Sequence, residues 1–350
     1  MKYLSLFSGI GGFELGIQQA YESNLKHSPI SEESESEERT QGRVGASDKH
    51  GILLHPRDRT APLCVGFSEI DKYAIQIYQK HFPYEQCKEC SNRELLQRQT
   101  SEDIHRGVTD ATLGQTGIIN CECNHKNYGD ITKIKEDELP DFDLLVGGFP
   151  CQSFSIAGKR KGFADTRGTL FFEIARICKA KQPRLLLLEN VKGLLSHDNG
   201  NTFRTIISTL DELGYDLQWQ VLNSKNFGVP QNRERVFIVG HLRGTSRPQV
   251  FPFRESGGHT EKPDAKNSSI SPLQTTPPIT TQGGMNVRGL FVSESEFGVR
   301  RLTPTECERL QGFPDNWTEG ISDTQRYKCC GNAVTVNVIQ AIMERLCLPL

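Results

Sequence analysis

Cys151 lies in the run Gly147-Gly148-Phe149-Pro150-Cys151-Gln152-Ser153-Phe154-Ser155, a turn built from glycine, proline and serine rather than an apolar stretch. A thiol placed there suits a nucleophile. Free cysteine has a pKa of about 8.5, so a nearby cation or a helix amino terminus must raise its thiolate fraction at neutral pH. A buried, inert cysteine is the commoner case, and the composition of this turn argues against it. Two carboxylates, Glu69 and Glu189, follow apolar runs, and Asp130 offers a third. At a strand end an acid such as Glu69 can accept hydrogen bonds from both hydroxyls of a ribose, and Asp130, in Gly129-Asp130-Ile131, suits an adenine amino group. Taken singly, either acid is more often a solvated loop charge. Arg233 and Arg235, two apart at the start of an apolar run, project to one face if they lie in a strand, and one plane then serves two contacts. The plain alternative is a solvated pair balanced by Glu234.

Gly9, Gly11 and Gly12 let the main chain approach a ligand and open a helix whose first N–H groups favour polar or anionic partners. The dinucleotide fingerprint needs glycine at position 14, where Glu14 stands, so a nicotinamide enzyme is disfavoured. Cys87-Lys88-Glu89-Cys90 and Cys121-Glu122-Cys123-Asn124-His125 bring thiolates and an imidazole together. Cys-x-Cys is not the common second half of a zinc site, so the expectation is no metal. Cys87, Cys90, Cys121, Cys123 and His125 are the candidates if one binds.

For these residues to meet, strand ends must converge. A chain of 350 residues buries a large core without disulfide staples, and 36% hydrophobic with 24% charged residues excludes wholesale disorder. No apolar run approaches the roughly 20 residues of a membrane span, and Met1-Lys2-Tyr3 does not open a signal peptide, so a cytoplasmic, non-membrane protein is expected. Forty-one basic against 43 acidic residues means that any nucleic acid is held by local patches, not by the global field. Eleven cysteines, an odd count, favour reduced thiols, a metal or a nucleophile over a disulfide framework.

Apolar runs at 3–7, 64–70, 144–148, 185–188, 217–222 and 236–239 read as strands. Helical spacing follows Gly12 and covers 71–81, 169–180 and 202–213, and 300–310 and 332–346 also look helical. The alternation predicts an α/β fold with a largely parallel sheet covered by helices. A like-charged insertion occupies 24–62 and a polar, cysteine-bearing one 84–127, while 242–298 turns to Pro, Ser, Thr, Gly and Gln. The expected organisation is a domain over 1–241, a small domain over 242–298, and a return to the first over 299–350. Phe7, Glu69, Phe149-Pro150-Cys151 and Glu189-Asn190 each lie just past a strand, and in a parallel sheet those ends share one rim.

At this point a resemblance becomes specific. Leu6-Phe7-Ser8-Gly9-Ile10-Gly11-Gly12, Gly147-Gly148-Phe149-Pro150-Cys151-Gln152, Glu189-Asn190-Val191 and Gln231-Asn232-Arg233-Glu234-Arg235 resemble the ordered motifs of cytosine-5 DNA methyltransferases. Arg301-Leu302-Thr303-Pro304 through Gly312-Phe313-Pro314, and Gly331-Asn332-Ala333-Val334, resemble the family's last two motifs. The resemblance implies an S-adenosylmethionine-dependent methyltransferase, Rossmann-like sheet with a small target-recognition domain at 242–298.

The same resemblance assigns roles. Cys151 adds to C6 of cytosine, Glu189 holds N3 and the exocyclic amine, Arg235 holds O2 and Arg233 supports the site. Phe7, Gly9, Gly11, Gly12, Glu69, Ile70, Asp130, Ile131, Pro150, Asn332 and Val334 surround S-adenosyl-L-methionine. The target base must leave the double-stranded DNA helix, and residues 152–168, with Lys159, Arg160, Lys161 and Arg167 among glycines, fit a loop that closes over it. A monomer paired functionally with a restriction endonuclease is expected. An RNA-methylating relative and a DNA binder without catalysis are the competing classes; intact Cys151, Glu189 and Arg235 speak against the binder, and the segment at 242–298 favours duplex DNA.

Overall fold

The computed structural model describes residues 1–26, 61–84, 125–150, 170–246, 248–253, 291–295 and 298–346, with strand positions but no side chains for 291–300. Six strands form one sheet: β1 (Lys2–Leu6), β2 (Leu63–Ser68), β3 (Leu144–Gly148), β4 (Leu185–Val191), β5 (Tyr215–Asn223) and β6 (Glu234–Leu242), in the order β2-β1-β3-β4-β6-β5. β2, β1, β3 and β4 are parallel, and β6 runs antiparallel to both β4 and β5. The parallel strands are joined through helices: α1 (Gly12–Lys26), α2 (Lys72–His81), α3 (Leu170–Lys181) and α4 (Asn201–Glu212). No helix of crossover length separates β5 from β6, so the chain reverses there.

Strands buried on both faces read as unbroken apolar runs, and alternate residues of β3 and β4 feed opposite cores. Leu145, Leu186 and Leu188 pack under α3 and α4 with Ile174, Ile177, Ile206 and Leu210. Leu144, Val146, Leu185 and Leu187 face α1 and α7 (Val336–Leu346) through Phe13, Ile17, Ile339 and Ile342. The layers are therefore helix, sheet, helix. A side chain on Gly16 would sit 2.6 Å from Ile339 Cβ, which records how closely α1 and α7 approach.

After β6 the chain crosses back over the sheet. Val250 and Phe251 are buried in the α1–α7 core, and Gln218 and Gln220 of β5 hold the main chain of residues 248–253 through their side-chain amides. β7 (Phe291–Ser295) and β8 (Gly298–Arg301) then pair as a separate two-stranded sheet. The helix expected from residue 300 begins only at Pro304, as α5 (Pro304–Leu310). Thr303 and Glu306 close a capping box around that start, and the position before a proline resists helical geometry. Residues 332–346 likewise divide: α6 (Asp323–Asn332) ends before Ala333, and α7 starts at Val336. Among the described residues no helix is long and apolar enough to cross a membrane.

Candidate active site

β1, β2, β3 and β4 end on one rim, and β6, running against β4, begins there. β1 connects to β2 on one side and β3 to β4 on the other, so the crevice between β1 and β3 is where the connections diverge. Open α/β sheets bind ligands at such a point.

The glycine turn forms one wall. Phe7, Gly9 and Gly11 have φ of 57°, 55° and 88°, in the left-handed region. The Ser8 hydroxyl donates to the Ser5 carbonyl (3.1 Å), and the Ser8 N–H donates to Ser68 O (3.3 Å). A side chain on Gly11 would meet the Phe82 ring at 2.4 Å, and one on Gly12 would meet Val334 at 2.8 Å. One on Gly9 would meet nothing within 4 Å. Gly11 and Gly12 are thus glycine because other parts of the protein pack on them, and Gly9 is the position that leaves room for a ligand.

Glu69 lies across this turn. Its Oε2 accepts the Gly9 N–H (2.9 Å), and its Oε1 accepts those of Ile70 and Asp71 (both 2.8 Å). Oε1 is thereby filled, while Oε2, which accepts once, keeps a lone pair for a hydroxyl donor. Beside it the apolar Ile70 is 72% exposed. Asn127, which the sequence reading did not single out, ties this group together: its Oδ1 accepts from Gly129 N (2.9 Å) and Glu69 N (3.4 Å). Asp130 caps the short turn after it. The Thr132 N–H and hydroxyl, both donating to Oδ1, hold its carboxyl below the usual range. Ile131 buries its side chain in the core, so only its main chain is available to a ligand. Asn332 is exposed, while Val334 packs on Gly12.

The second half of the rim carries the charges. Glu189 of β4 pairs with Gly148 on one side and Phe237 on the other. A Cβ at 148 would stand 3.0 Å from Glu189 Oε2, so the glycine makes space for the carboxyl. Arg235 Nε lies 3.0 Å from Glu189 Oε1, an ion pair made possible by the antiparallel β6. Burial raises the Glu189 pKa, and Arg235, followed by Arg233, only partly opposes it. Arg233 precedes β6 and turns away from a shared plane: it is 3% exposed, and its Nη2 donates to the carbonyls of Gly331 (3.1 Å) and Ala333 (2.9 Å). Burial, then Arg235, lowers its pKa to about 9. It braces the segment that bears Asn332 and Val334.

Asn190 Nδ2 donates to the Phe149 carbonyl at 2.8 Å, fixing the main chain that leads into the exposed Pro150. Phe149 and Phe171 are buried with ring centroids 5.6 Å apart. Cys151 and residues 152–168 lie outside the described residues, as do Cys87, Cys90, Cys121 and Cys123. His125 is described: it is enclosed by Tyr78 and Phe82, its Nδ1 is 3.0 Å from Tyr78 Oη, and burial lowers its pKa to about 4. Among the described residues no three His, Cys, Asp or Glu side chains gather as for a metal.

The layered sheet with its glycine turn, facing acid and ligand rim defines an S-adenosylmethionine-dependent methyltransferase fold. Dnmt2 of S. pombe superposes with a TM-score of 0.59 at 18% identity, over 98% of this chain and 97% of that one. A putative DNA modification methyltransferase encoded within an E. coli prophage does so at 0.54 and 15%, over 99% and 98%. The family described as C-5 cytosine-specific DNA methylase matches residues 118–276 and 253–347. Type II methyltransferase M.NlaX of Neisseria lactamica is 33% identical over 380 aligned positions, covering 99% of this chain and 96% of the relative. M.HhaI of Haemophilus parahaemolyticus is 37% identical over 386, covering 98% and 93%. The chain belongs to the C-5 cytosine-specific DNA methylase family and is a DNA (cytosine-5-)-methyltransferase.

Proposed function

We propose that the chain methylates C5 of a cytosine rotated out of a specific short site in double-stranded DNA, through a covalent adduct between Cys151 and C6. C5 of cytosine is too weak a nucleophile to take a methyl group unaided. The Cys151 thiolate forms a bond to C6, and the electron pair of the C5–C6 double bond becomes available at C5. Glu189 faces N3 and the exocyclic amine; its raised pKa favours a carboxyl that shares its proton with N3 as the thiolate adds. Arg235, held beside Glu189, donates to O2. Loss of the C5 proton and expulsion of Cys151 restore the aromatic ring. The observation that carries this reading is the Glu189–Arg235 pair beside a strand whose next residues, tethered by Asn190, lead to Cys151.

S-adenosylmethionine, when bound, supplies the methyl group. The open space at Gly9, Glu69 Oε2, the exposed Ile70 and the ionised Asp130 fit an adenosine moiety, with Phe7, Pro150, Asn332 and Val334 completing the wall. A target-recognition domain in 242–298 selects the site, and the enzyme acts in the cytoplasm as a monomer that protects DNA from a partner restriction endonuclease.

Tritiated S-adenosylmethionine incubated separately with duplex DNA and with RNA tests the substrate. Label in DNA, lost in Cys151→Ser, is the expected result. Label confined to RNA overturns the substrate, and undiminished methylation by Cys151→Ser overturns the chemistry.

A further inference from the structure

The indole N–H of Trp317 donates to the main-chain carbonyl of Ile10 at 2.9 Å, a buried bond between residues 307 positions apart. Ile10 is the middle residue of the glycine turn and is itself 1% exposed. The indole is braced in turn. His81 lies flat against it, with centroids 3.6 Å apart and planes 5° apart, and His81 Nε2 is 2.7 Å from the Trp317 carbonyl. Phe82, the next residue, meets Trp317 edge-on at 6.0 Å and fills the space beside Gly11.

Gly9 and Gly11 can adopt many conformations besides the left-handed ones found here, so their sequence alone does not order the turn. A tether on the carbonyl between them does. If the turn is correct in only a fraction of molecules, the apparent affinity for its ligand falls by that fraction. We propose that Trp317 is a positioning residue for the cofactor: its bond to Ile10 holds the turn, and with it the Gly9 N–H and Glu69, in the form that receives S-adenosylmethionine. The proposal rests on the reading that this turn is the cofactor site.

Calorimetric titration of the full chain, without DNA, by S-adenosylhomocysteine tests it. Trp317→Phe should weaken binding about five- to tenfold, the worth of one buried hydrogen bond. At saturating S-adenosylmethionine kcat should hold, as should KM for DNA, which a general loss of structure would not spare. Replacing Trp317 by benzothienylalanine, which keeps the shape and substitutes sulfur for N–H, should give the same loss. Unchanged affinity in both variants, or in the sulfur isostere alone, overturns the role of the bond. Gly9→Val separates the two ideas. If it binds S-adenosylhomocysteine normally, the turn is not the cofactor site and the underlying reading fails; if it abolishes binding while the Trp317 replacements do not weaken it, only the positioning role fails.

Discussion

Glu14 lies in the first turn of α1 and is 1% exposed. Tyr78 Oη donates to its Oε1 at 3.1 Å, and its Oε2 has no hydrogen-bond partner among the described residues. Burial raises its pKa from 4.5 to about 7, the hydrogen bonds from Ser5, its own main chain and Tyr78 notwithstanding. Between those values the native protein keeps a proton that the unfolded chain has released. Stability is therefore unaffected by this group below about pH 4.5, declines as pH rises towards 7, and above 7 bears the whole cost of a buried charge. A shift of roughly 2.5 pH units at about 1.4 kcal/mol each gives a cost of about 3 kcal/mol. Cys64 and Tyr78 do not confuse the window, because burial pushes both thiol and phenol upward. Glu14→Gln keeps an acceptor for Tyr78 and cannot ionise. Urea unfolding at fixed ionic strength should show Glu14→Gln gaining about 3 kcal/mol on the wild type between pH 4.5 and 8.5. Parallel stability curves over that range would refute the assignment of a buried, titrating carboxyl.

Gly148→Ala places a methyl group 3.0 Å from Glu189 Oε2, and displacement of that carboxyl should lower kcat about tenfold or more in a DNA methylation assay, with S-adenosylhomocysteine affinity retained. Arg235→Lys keeps the charge but loses the planar guanidinium beside Glu189; kcat should fall about tenfold or more. Gly16→Ala sets a side chain against Ile339 Cβ at 2.6 Å and Val336 O at 3.0 Å, and should cost about 1–3 kcal/mol in chemical denaturation while leaving KM values intact. His125, lowered from 6.5 to about 4 by burial, stays neutral in the native protein while the unfolded chain takes up a proton. Its contribution is therefore lost as pH falls through that interval, and His125→Asn should remove about 3 kcal/mol of the acid-side decline measured between pH 7 and 4.

The sheet was legible because its chemistry is local. The apolar runs Leu185–Leu188 and Leu144–Val146 are too short for helices and read as strands buried on both faces, and the helix-length segment between them favours parallel neighbours. The rim followed from strand ends, and with it the placement of Phe7, Glu69 and Glu189 at the ends of β1, β2 and β4. What could not be read depended on partners far away in sequence. Two-residue spacing places side chains on one face only inside a strand; β6 begins at Glu234, so Arg233 escapes the rule and binds the carbonyls after α6. Glu14 gave no hint of burial beyond its place beside Phe13, and Trp317 gave none of its bond to Ile10. Cys329 and Cys330, adjacent in sequence, are both buried, and burial raises the Cys329 thiol to about 12.

The braces share one construction. Asn190 holds the carbonyl of Phe149, Arg233 those of Gly331 and Ala333, and Trp317 that of Ile10. Each is a side-chain donor, 7% exposed or less, satisfied by main chain from a neighbouring loop. Such a group is costly to leave unpaired, so its loop is held wherever the donor is held. The residues proposed to meet substrate or cofactor are built the other way round. Glu69 and Asp130 accept from nearby main chain yet remain accessible, and Arg235 keeps a side chain that is 18% exposed beside Glu189 at 13%. Motif resemblance blends the two kinds, since Arg233 and Arg235 stand in one motif. Burial with a carbonyl partner separates them, and by that criterion Arg233 belongs with Asn190 and Trp317 as scaffold, leaving Arg235 as the guanidinium of this pair that can reach a base.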